Sequence, residues 1–421
     1  MTGAPGTIAA PAAAAAIDPA ELARRGRAAG IVSPRVDLVA GGAVLSRAAL
    51  EALGPQLGVL ARVLCELPAR LGDDLAAAAH VLGWPADEAA VLADFAEPLD
   101  PAALMRADLV RHGGRWRLLE LNCGSTVGGM TYASLAREVG LAPTDGDDVL
   151  ARWAAWVSAR VDGPGAIVED DGALAAMTPT LERMAAELGE RLGAPVPVLG
   201  HRALRGDGRT LAHAGGALAW IYRLFDVPDL VRDPAGYAHV RAALAAGRLR
   251  CPMGPVYRLP GSKAALAALW TLRDHRALGR DEAAAVEALV PRTARLTPSH
   301  RAEALARRDE LVLKPADGYG GHGVAVGREH GAAAWQAKVD EALAGPGPWV
   351  MQDYAHPETL PLTIARTDGA LAEVVARPLW GVYLLDARFA GAMVRARAVT
   401  APGAVINVAQ GAAAGPVELV P

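Results

Sequence analysis

The stretch LMRADLVRHGGRWRLLELNCGSTVGGM, residues 104–130, predicts a β-hairpin with a Gly-Gly turn, and the predicted fold is built around it. Arg106 and Asp108 share one face of its first strand, because side chains two residues apart point the same way. Glu120 and Asn122 share one face of the second strand for the same reason. Two carboxylates and an amide oxygen suit Mg²⁺, and an Arg beside them suits a phosphate or an acyl phosphate. The alternative is a surface hairpin with a cross-strand ion pair.

The metal interpretation requires a definite register for this hairpin. If the ligands converge on one ion, Asp108 lies directly across from Glu120, and Arg106 lies across from Asn122. Both pairs share one midpoint, which predicts a three-residue loop over residues 113–115. A two-residue turn at Gly113 and Gly114 would instead pair Asp108 with Leu119 and put Glu120 on the opposite face.

Composition limits the class of protein. The chain has 421 residues, of which 52% are hydrophobic and 21% charged, as in a globular protein of two or three lobes. A net charge of −4 gives no electrostatic case for binding nucleic acid or an anionic membrane. Cys65, Cys123 and Cys251 are unclustered, which argues against a disulfide framework or a zinc site. No basic residue precedes Arg24, and no uninterrupted apolar run of membrane length is expected. We therefore expect a cytoplasmic location.

Lysine is scarce in this chain. Among its 42 basic residues the lysines are Lys263, Lys314 and Lys338, and the rest are arginines. A lysine kept in such a sequence suggests a need for a compact ammonium group that Arg does not replace. Lys338 fits an ordinary helix face. Lys263 falls in the first turn of a predicted helix, where a cation opposes the helix dipole, which hints at a functional role.

A glycine-rich segment, ELVLKPADGYGGHGVAVG at residues 310–327, predicts a strand, a loop and a second strand. Lys314 ends the first strand, and the loop carries its glycines at Gly318, Gly320, Gly321 and Gly323. Their backbone amides can approach phosphate oxygens, and the lysine adds a positive charge. GYGGHG matches a dinucleotide-binding pattern in letters, but no helix is predicted after it, and a P-loop would place its Lys after the glycines. A glycine-rich turn without a ligand is the alternative.

A third segment, WVMQDY at residues 349–354, predicts an apolar strand that ends in polar residues. Gln352, Asp353 and Tyr354 are candidates for adenine and ribose contacts, and an ordinary strand end is the equal alternative. The chain is divided as follows: 1–20, a mobile tail; 21–99, a helical lobe; 100–160, the metal-binding half of the core; 161–255, a small parallel α/β lobe; 256–421, the ATP-clamping and C-terminal part.

These motifs in this order resemble a circularly permuted ATP-grasp protein. The Arg-x-Asp hairpin ending in Glu-x-Asn is similar to the metal-binding segment of the glutathionylspermidine synthetase group, a group of carboxylate–amine ligases. The usual ATP-grasp order places the glycine clamp before the acidic metal strand, and here the order is reversed. The implied fold class is α/β (α+β), with a small parallel-sheet lobe and an N-terminal helical lobe.

The resemblance implies a role for each candidate residue. Asp108, Glu120 and Asn122 match Mg²⁺ ligands, and Arg106 matches the residue that steadies the acyl phosphate. Lys263 and Lys314 match the two lysines that contact ATP, with Lys314 assigned to catalysis together with Arg106. The segment after Asn122 and the glycine loop both depart from the glutathionylspermidine synthetases, so glutathione and spermidine do not transfer as substrates.

The expected activity is an ATP- and Mg²⁺-dependent ligase that activates a small-molecule carboxylate as an acyl phosphate and joins it to an amine. Two alternatives stay open. One is a carboxylate–thiol ligase that loads a carrier protein, and the other is a nucleotide-binding protein without catalytic activity. The sequence identifies neither substrate.

Overall fold

The computed structural model describes residues 17–421 except 73, 93, 94, 96, 97, 143–147 and 319. Most of the predicted mobile tail, residues 1–16, lies outside the described residues. Its predicted end at residue 20 is wrong, because a helix already begins at Pro19. The Asp18 carboxylate caps that helix by accepting a hydrogen bond of 3.0 Å from the Ala20 amide.

Residues 21–99 are mainly helical, as predicted, but two strands interrupt them. Leu38, Val39 and Ala40 form too short an apolar run to be distinguished from a helix segment by pattern alone. The elements are α1 (Pro19–Ala28), β1 (Leu38–Gly41), β2 (Val44–Ser46), α2 (Arg47–Cys65), α3 (Leu67–Leu71), α4 (Leu75–Leu82) and α5 (Ala86–Leu92).

The predicted hairpin is present and leads into short helices. Its elements and those that follow are β3 (Met105–His112), β4 (Arg115–Cys123), α6 (Met130–Ala133), α7 (Leu135–Glu138) and α8 (Val149–Ser158). The register confirms that Asp108 pairs with Glu120 and Arg106 with Asn122. The predicted three-residue loop is wrong: His112 pairs with Arg115, so the turn has two residues.

A β-bulge at Leu119 reconciles the two-residue turn with the predicted pairs. Leu109 pairs with Leu118 and Asp108 with Glu120, so Leu119 is an extra residue on β4. In a regular ladder with a two-residue turn, Glu120 and Asn122 would face the opposite side of the hairpin, and the extra residue reverses this. The bulge therefore turns the side chains of Glu120 and Asn122 towards the face that carries Arg106 and Asp108.

The next region contains a small parallel sheet, as predicted. Its elements are β5 (Gly165–Glu169), α9 (Asp171–Leu192), β6 (Val198–Gly200), β7 (Arg205–Gly206), β8 (Leu211–His213), β9 (Gly216–Leu218), β10 (Trp220–Arg223), α10 (Val227–Arg232) and α11 (Ala238–Ala245). β5 pairs in parallel with β6 on one side and β10 on the other. This arrangement confirms the β–α–β unit β5–α9–β6.

The glycine-rich loop belongs to an antiparallel sheet with the order β11-β14-β12-β13 in the described residues. It joins β12 to β13 and no helix opens on it, as the sequence predicted. The elements are α12 (Arg258–Gly261), α13 (Lys263–Asp274), α14 (Arg280–Leu289), β11 (Thr293–Arg295), α15 (Arg301–Ala306), β12 (Leu311–Pro315), β13 (Ala325–Val326), α16 (Ala332–Ala344) and β14 (Trp349–Asp353).

The C-terminal strands complete a large sheet with the order β15-β1-β18-β17-β16-β3-β4 in the described residues. They are β15 (Leu360–Ala365), β16 (Leu371–Leu385), β17 (Arg388–Ala398), β18 (Ala413–Pro416) and β19 (Glu418–Val420). The first part of β16 pairs with β15 and its last part with β3. The strands β15, β1, β18, β17 and β16 thus close into a ring, and the β3–β4 hairpin extends from it.

One helix in the described part of the chain, α2, is long and apolar enough to cross a membrane by length and composition alone. Half of that window is buried inside the protein, and the helix packs against β17 and α14. Leu57, Leu60 and Leu64 of α2 are buried in the main hydrophobic core. These contacts explain why α2 is apolar, because the helix packs in the core of the protein.

The turn of the hairpin offers a test of its backbone conformation. Gly113 and Gly114 have φ of 56° and 75°, and an added Cβ would meet no atom within 4 Å at either. Gly114→Ala should lower the free energy of unfolding by about 1–2 kcal/mol, because L-residues are strained at positive φ. Gly58 on α2 has no positive φ, and a Cβ there would lie no closer than 3.4 Å to another residue, so Gly58→Ala should raise stability by about 0.5–1 kcal/mol. Urea unfolding of both variants checks this pair, and equal effects would contradict the assigned turn.

Candidate functional site

A cleft lies between the β3–β4 hairpin and the antiparallel sheet that carries the glycine-rich loop. Among the described residues, it is lined by every predicted site residue except Gly323: Arg106, Asp108, Glu120, Asn122, Lys263, Lys314, Gly318, Gly320, Gly321, Gln352, Asp353 and Tyr354. Residues from β3, β4, α13, β12 and β14 therefore meet in one place. The alternative of an isolated surface hairpin does not agree with this arrangement.

Asp108 is fully buried at the base of the cleft and is held by two guanidinium groups. Arg106 Nε donates to Asp108 Oδ1 at 2.7 Å, and Arg395 donates to Asp108 Oδ2 at 2.5 Å. The Asn122 amide also donates to Oδ2, at 3.2 Å. Burial alone would raise the pKa of Asp108, but the charges of the two arginines outweigh it and hold the pKa well below its usual range. The carboxylate is therefore ionised.

Glu120 is paired with Lys263 across the cleft. Lys263 Nζ lies 3.0 Å from Glu120 Oε2 and donates to the Gly318 carbonyl, also at 3.0 Å. The helix α13 begins at Lys263, with the Ser262 hydroxyl as its N-cap. The predicted first-turn lysine is therefore confirmed, and its ammonium group links the hairpin to the glycine-rich loop.

Lys314 is buried between the hairpin and β14. Its Nζ donates to Gln352 Oε1 at 2.6 Å and to the Leu119 carbonyl at 3.4 Å. Gln352 is 1% exposed. Its amide group donates hydrogen bonds to the Thr293 hydroxyl and to the same Leu119 carbonyl. Gln352 thus lines the cleft as predicted, but its side chain holds Lys314 in position. The bulged residue Leu119 supplies the carbonyl that meets both side chains.

The charge of Lys314 is sensitive to pH. Burial lowers its pKa to about 8, with Glu120 raising it and Lys263 lowering it. The partners that Lys314 contacts directly, Gln352 and Leu119, are neutral oxygen acceptors. An anion placed next to Nζ would favour the charged form.

The glycine-rich loop rests against a second loop, residues 399–412. A Cβ on Gly321 would lie 2.6 Å from Val405, and Gly321 has φ of 72°, so both space and backbone favour glycine there. Arg397 holds the second loop by donating to the carbonyls of Pro402 and Gln410. Gly323 lies outside the cleft because its Cα packs on Pro315.

Apolar side chains are grouped at one end of the cleft. Its lining includes Val110, Leu119, Val312, Val326, Leu379 and Ile406. Asp353 lines this end but already forms an ion pair of 2.7 Å with Arg307. Tyr354 lies under the Arg328 guanidinium, 5.1 Å from it, and edge-on to His356.

The side-chain oxygen atoms of the hairpin are of the kind that binds Mg²⁺. Asp108, Glu120 and Asn122 share one face and offer the hard oxygen atoms that Mg²⁺ prefers. Asp108 already accepts four hydrogen bonds, two from Arg106 and one each from Arg395 and Asn122. Glu120 and Asn122 are therefore the more accessible ligands, and Asp108 would bind a metal ion in exchange for one of its donors. In the part of the chain that the structure describes, no group of three His, Cys, Asp or Glu side chains is arranged around one point. The set fits an ion held jointly by protein and phosphate oxygens.

Sequence reasoning missed three cleft residues. Arg395 contacts Asp108 from β17, and only the strand order brings them together. Arg258 and Asp317 line the end of the cleft next to Lys263. Asp317 lies in the quoted glycine-rich segment, so a polar residue between Lys314 and the glycines was the available signal.

Comparison with known proteins finds similar structures but no similar sequence. No family model matches the chain, and no curated protein sequence matches it. A glutathione synthetase-like effector from Globodera pallida is similar over 96% of this chain and 97% of its own, with a TM-score of 0.58 and 10% identity. A D-alanyl-alanine synthetase A from Vibrio cholerae gives 12% identity over 53% of this chain and 67% of its own, with a TM-score of 0.32. D-cycloserine synthetase gives 19% identity over 61% and 76%, with a TM-score of 0.35.

At such low identities these likenesses concern the fold. The chain is a mixed helix-and-sheet protein, as the sequence predicted, and its fold is similar to that of the glutathione synthetase-like effector. The similarity to the effector extends over nearly the whole length of both chains.

Replacing the buried lysine should weaken nucleotide binding. Lys314→Ala removes a buried ammonium group, so the Kd for MgATP should rise by about 10- to 100-fold, the value of a charged hydrogen bond. Lys338→Ala is the matched control, because Lys338 is half exposed and pairs with Glu341 on a helix surface. Isothermal titration calorimetry compares the two, and equal affinities would contradict a phosphate site at Lys314.

Nucleotide affinity should also fall above pH 8. Because the Lys314 pKa is lowered to about 8, the ammonium form is present below that pH and is lost as pH rises through it. The Kd for MgATP should be constant near pH 7 and should rise by up to about tenfold per pH unit above 8. Reductive ¹³C-methylation followed by NMR can report the titration, with Lys314→Ala assigning the signal. A Kd that does not change between pH 7 and 9.5 would contradict this.

Proposed function

We propose that this chain is an ATP-dependent ligase that activates a carboxylate as an acyl phosphate and joins it to an amine. The observation that carries the proposal is the convergence in one cleft of two of the chain's three lysines, an ionised Asp held by two arginines, a Glu and Asn pair, and a glycine-rich loop. This set of groups matches the demands of phosphoryl transfer, which needs positioning and charge neutralisation more than covalent chemistry.

Each group has a role in the proposed first step. Lys314, Lys263 and the amides of the glycine-rich loop bind the phosphates of ATP, and the apolar end of the cleft receives the adenine. Mg²⁺ held by Glu120, Asn122 and Asp108 would neutralise phosphate charge. The substrate carboxylate attacks the γ-phosphorus, the bond to the β–γ bridging oxygen breaks, and ADP leaves with that electron pair.

In this proposal Arg106 and Arg395 stabilise the negative charge of the acyl phosphate. Both guanidinium groups are buried beside Asp108, so their charge is little screened by water. Arg106 also donates to the Gly128 carbonyl at 2.7 Å, which fixes its direction. In the second step a nucleophile displaces phosphate from the acyl carbon. Because the substrate carboxylate itself attacks the γ-phosphorus, no covalent bond to the protein is required.

The order of the motifs supports a circular permutation of the ATP-grasp arrangement. The metal hairpin β3–β4 precedes β12 and the glycine-rich loop in the chain. The division of the chain into a helical lobe, a metal-binding half, a small α/β lobe and an ATP-clamping part belongs to the same proposal, as does kinship with the glutathionylspermidine synthetase group.

Product analysis tests the proposal. The protein is incubated with MgATP, hydroxylamine and the twenty amino acids one at a time as carboxylates, and ADP and hydroxamate are measured. We expect carboxylate-dependent ADP release with an equal amount of hydroxamate, both abolished by removing Mg²⁺. Nucleotide binding without carboxylate-dependent ADP would instead identify a non-catalytic binder.

A conservative substitution at the second lysine should be damaging. Lys263→Arg keeps the charge, but a planar guanidinium cannot place one compact donor 3.0 Å from both Glu120 and the Gly318 carbonyl. We expect kcat for ADP release to fall by about 10- to 1000-fold, the range for a lost electrostatic group. Arg273→Lys, at a half-exposed position of the same helix, is the matched control. Wild-type turnover by Lys263→Arg would show that this lysine has no special role.

A further inference from the structure

Asp317 is the acidic side chain of the cleft that the proposed first step does not use. It follows β12 directly and lines the cleft beside Arg258 and Lys263. Its Oδ1 atom is fully buried and, among the described residues, has no hydrogen-bond donor. A buried carboxylate oxygen without a donor is unfavourable, so its presence in a ligand cleft suggests that a ligand supplies the donor.

The cations near Asp317 already have other partners. Arg258 lies 3.4 Å from Glu88 Oε2 and 3.4 Å from Asp226 Oδ2. Lys263 lies 3.0 Å from Glu120 and donates to the Gly318 carbonyl. The Ser262 hydroxyl accepts from the Ala264 amide at the start of α13, and its own proton can be donated to the Asp317 carboxylate, which opposes the rise in the pKa of Asp317 but leaves Oδ1 without a donor.

Three acidic side chains lie at this end of the cleft, and the nearby cations are Arg258, Lys263 and the buried Arg223, which pairs with Asp226. Glu88, Asp226 and Asp317 lie around the Arg258 guanidinium. Burial raises the pKa of Asp317, and the charge of Arg258 opposes that shift. Burial likewise raises the pKa of Glu88, with Arg258 opposing and Asp317 adding to the shift. A ligand group that donates to Oδ1 would stabilise the ionised carboxylate of Asp317.

Asp317 also lies next to the groups assigned to phosphate. The following residue, Gly318, accepts a hydrogen bond from Lys263, whose Nζ contacts Glu120. A nucleophile bound at Asp317 therefore lies beside groups that are proposed to bind the phosphates of ATP, in the same cleft as Arg106 and Arg395. That proximity is required for attack on the acyl carbon.

We propose that Asp317 binds the second substrate as an ammonium ion and takes a proton from it, so that this substrate is a primary or secondary amine. This inference rests on the proposed ligase function and chooses between the amine and thiol acceptors. A thiol must become an anionic thiolate before it attacks, and a thiolate has no proton to donate to the buried Asp317 Oδ1, whereas the ammonium of a primary amine has three.

The step balances as a proton and acyl transfer. The ammonium gives one proton to the Asp317 carboxylate, and the freed nitrogen lone pair forms a bond to the acyl carbon. The bond between that carbon and the phosphate oxygen breaks, and phosphate leaves with the electron pair. The nitrogen then loses a second proton to the departing phosphate, which leaves a neutral amide.

Two acceptors of different protonation state test the role of Asp317. Hydroxylamine is largely unprotonated at neutral pH and needs no base, whereas amino acids and putrescine arrive as ammonium ions. With a carboxylate that gives hydroxamate, we expect Asp317→Asn to lower the ratio of amide to hydroxamate product by about 100-fold. Asp317→Glu should recover part of the ratio. Asp309→Asn, on an exposed ion pair with Arg308, is the surface control.

The pH profile separates a base from a structural residue. For Asp317→Asn, amide formation should rise about tenfold per pH unit towards the pKa of the acceptor amine, because the amine must then lose its proton to solvent. Wild type should lack this dependence near neutral pH. Such a rescue is not expected of a residue that only supports the loop.

The outcomes are distinct. An equal loss of amide and hydroxamate in Asp317→Asn, or no loss of either, would overturn the role of Asp317. Thioester formed from pantetheine by the wild type, without amide from any amine, would overturn the choice of acceptor. Absence of carboxylate-dependent ADP and hydroxamate in the wild type would overturn the proposed ligase function itself.

Discussion

The burial of Asp108 is the constraint on which the cleft depends. A carboxylate with no exposure to water stays ionised only if cations and hydrogen bonds replace the lost hydration. Here the replacement comes from three different strands: Arg106 on β3, Arg395 on β17 and Asn122 on β4. The same contacts that keep Asp108 charged therefore also fix these strands relative to one another, and they hold two guanidinium groups where a second anion can bind.

The bulge at Leu119 connects this arrangement to the opposite wall of the cleft. Because the extra residue interrupts the ladder, the Leu119 carbonyl is free to accept from Lys314 and Gln352. The same irregularity keeps Glu120 facing Lys263. One inserted residue thus serves both sides of the site, which is consistent with the frequent occurrence of bulges beside functional sites.

The sequence predicted the local elements of the site well, because strand alternation and glycine loops are local patterns. It predicted the pairing of Asp108 with Glu120 but not the bulge that produces it, because a bulge changes the register without leaving a sequence signal as strong as a turn. Arg395 was beyond prediction, since its contact with Asp108 depends on strands 287 residues apart in sequence. β1 was missed because four residues are too few to show a period.

The pairing of the two ends of the described chain has a consequence for how the protein is made. β2 pairs with β19, and Ser46 donates to the Pro421 carbonyl across 375 residues of sequence. β1 likewise needs β15 and β18 as its neighbours in the ring. During synthesis, the edges of β1 and β2 stay unpaired until β15, β18 and β19 have been made. Contacts so distant in sequence slow folding. Until they form, apolar surface stays exposed, and chaperones bind to surface of this kind.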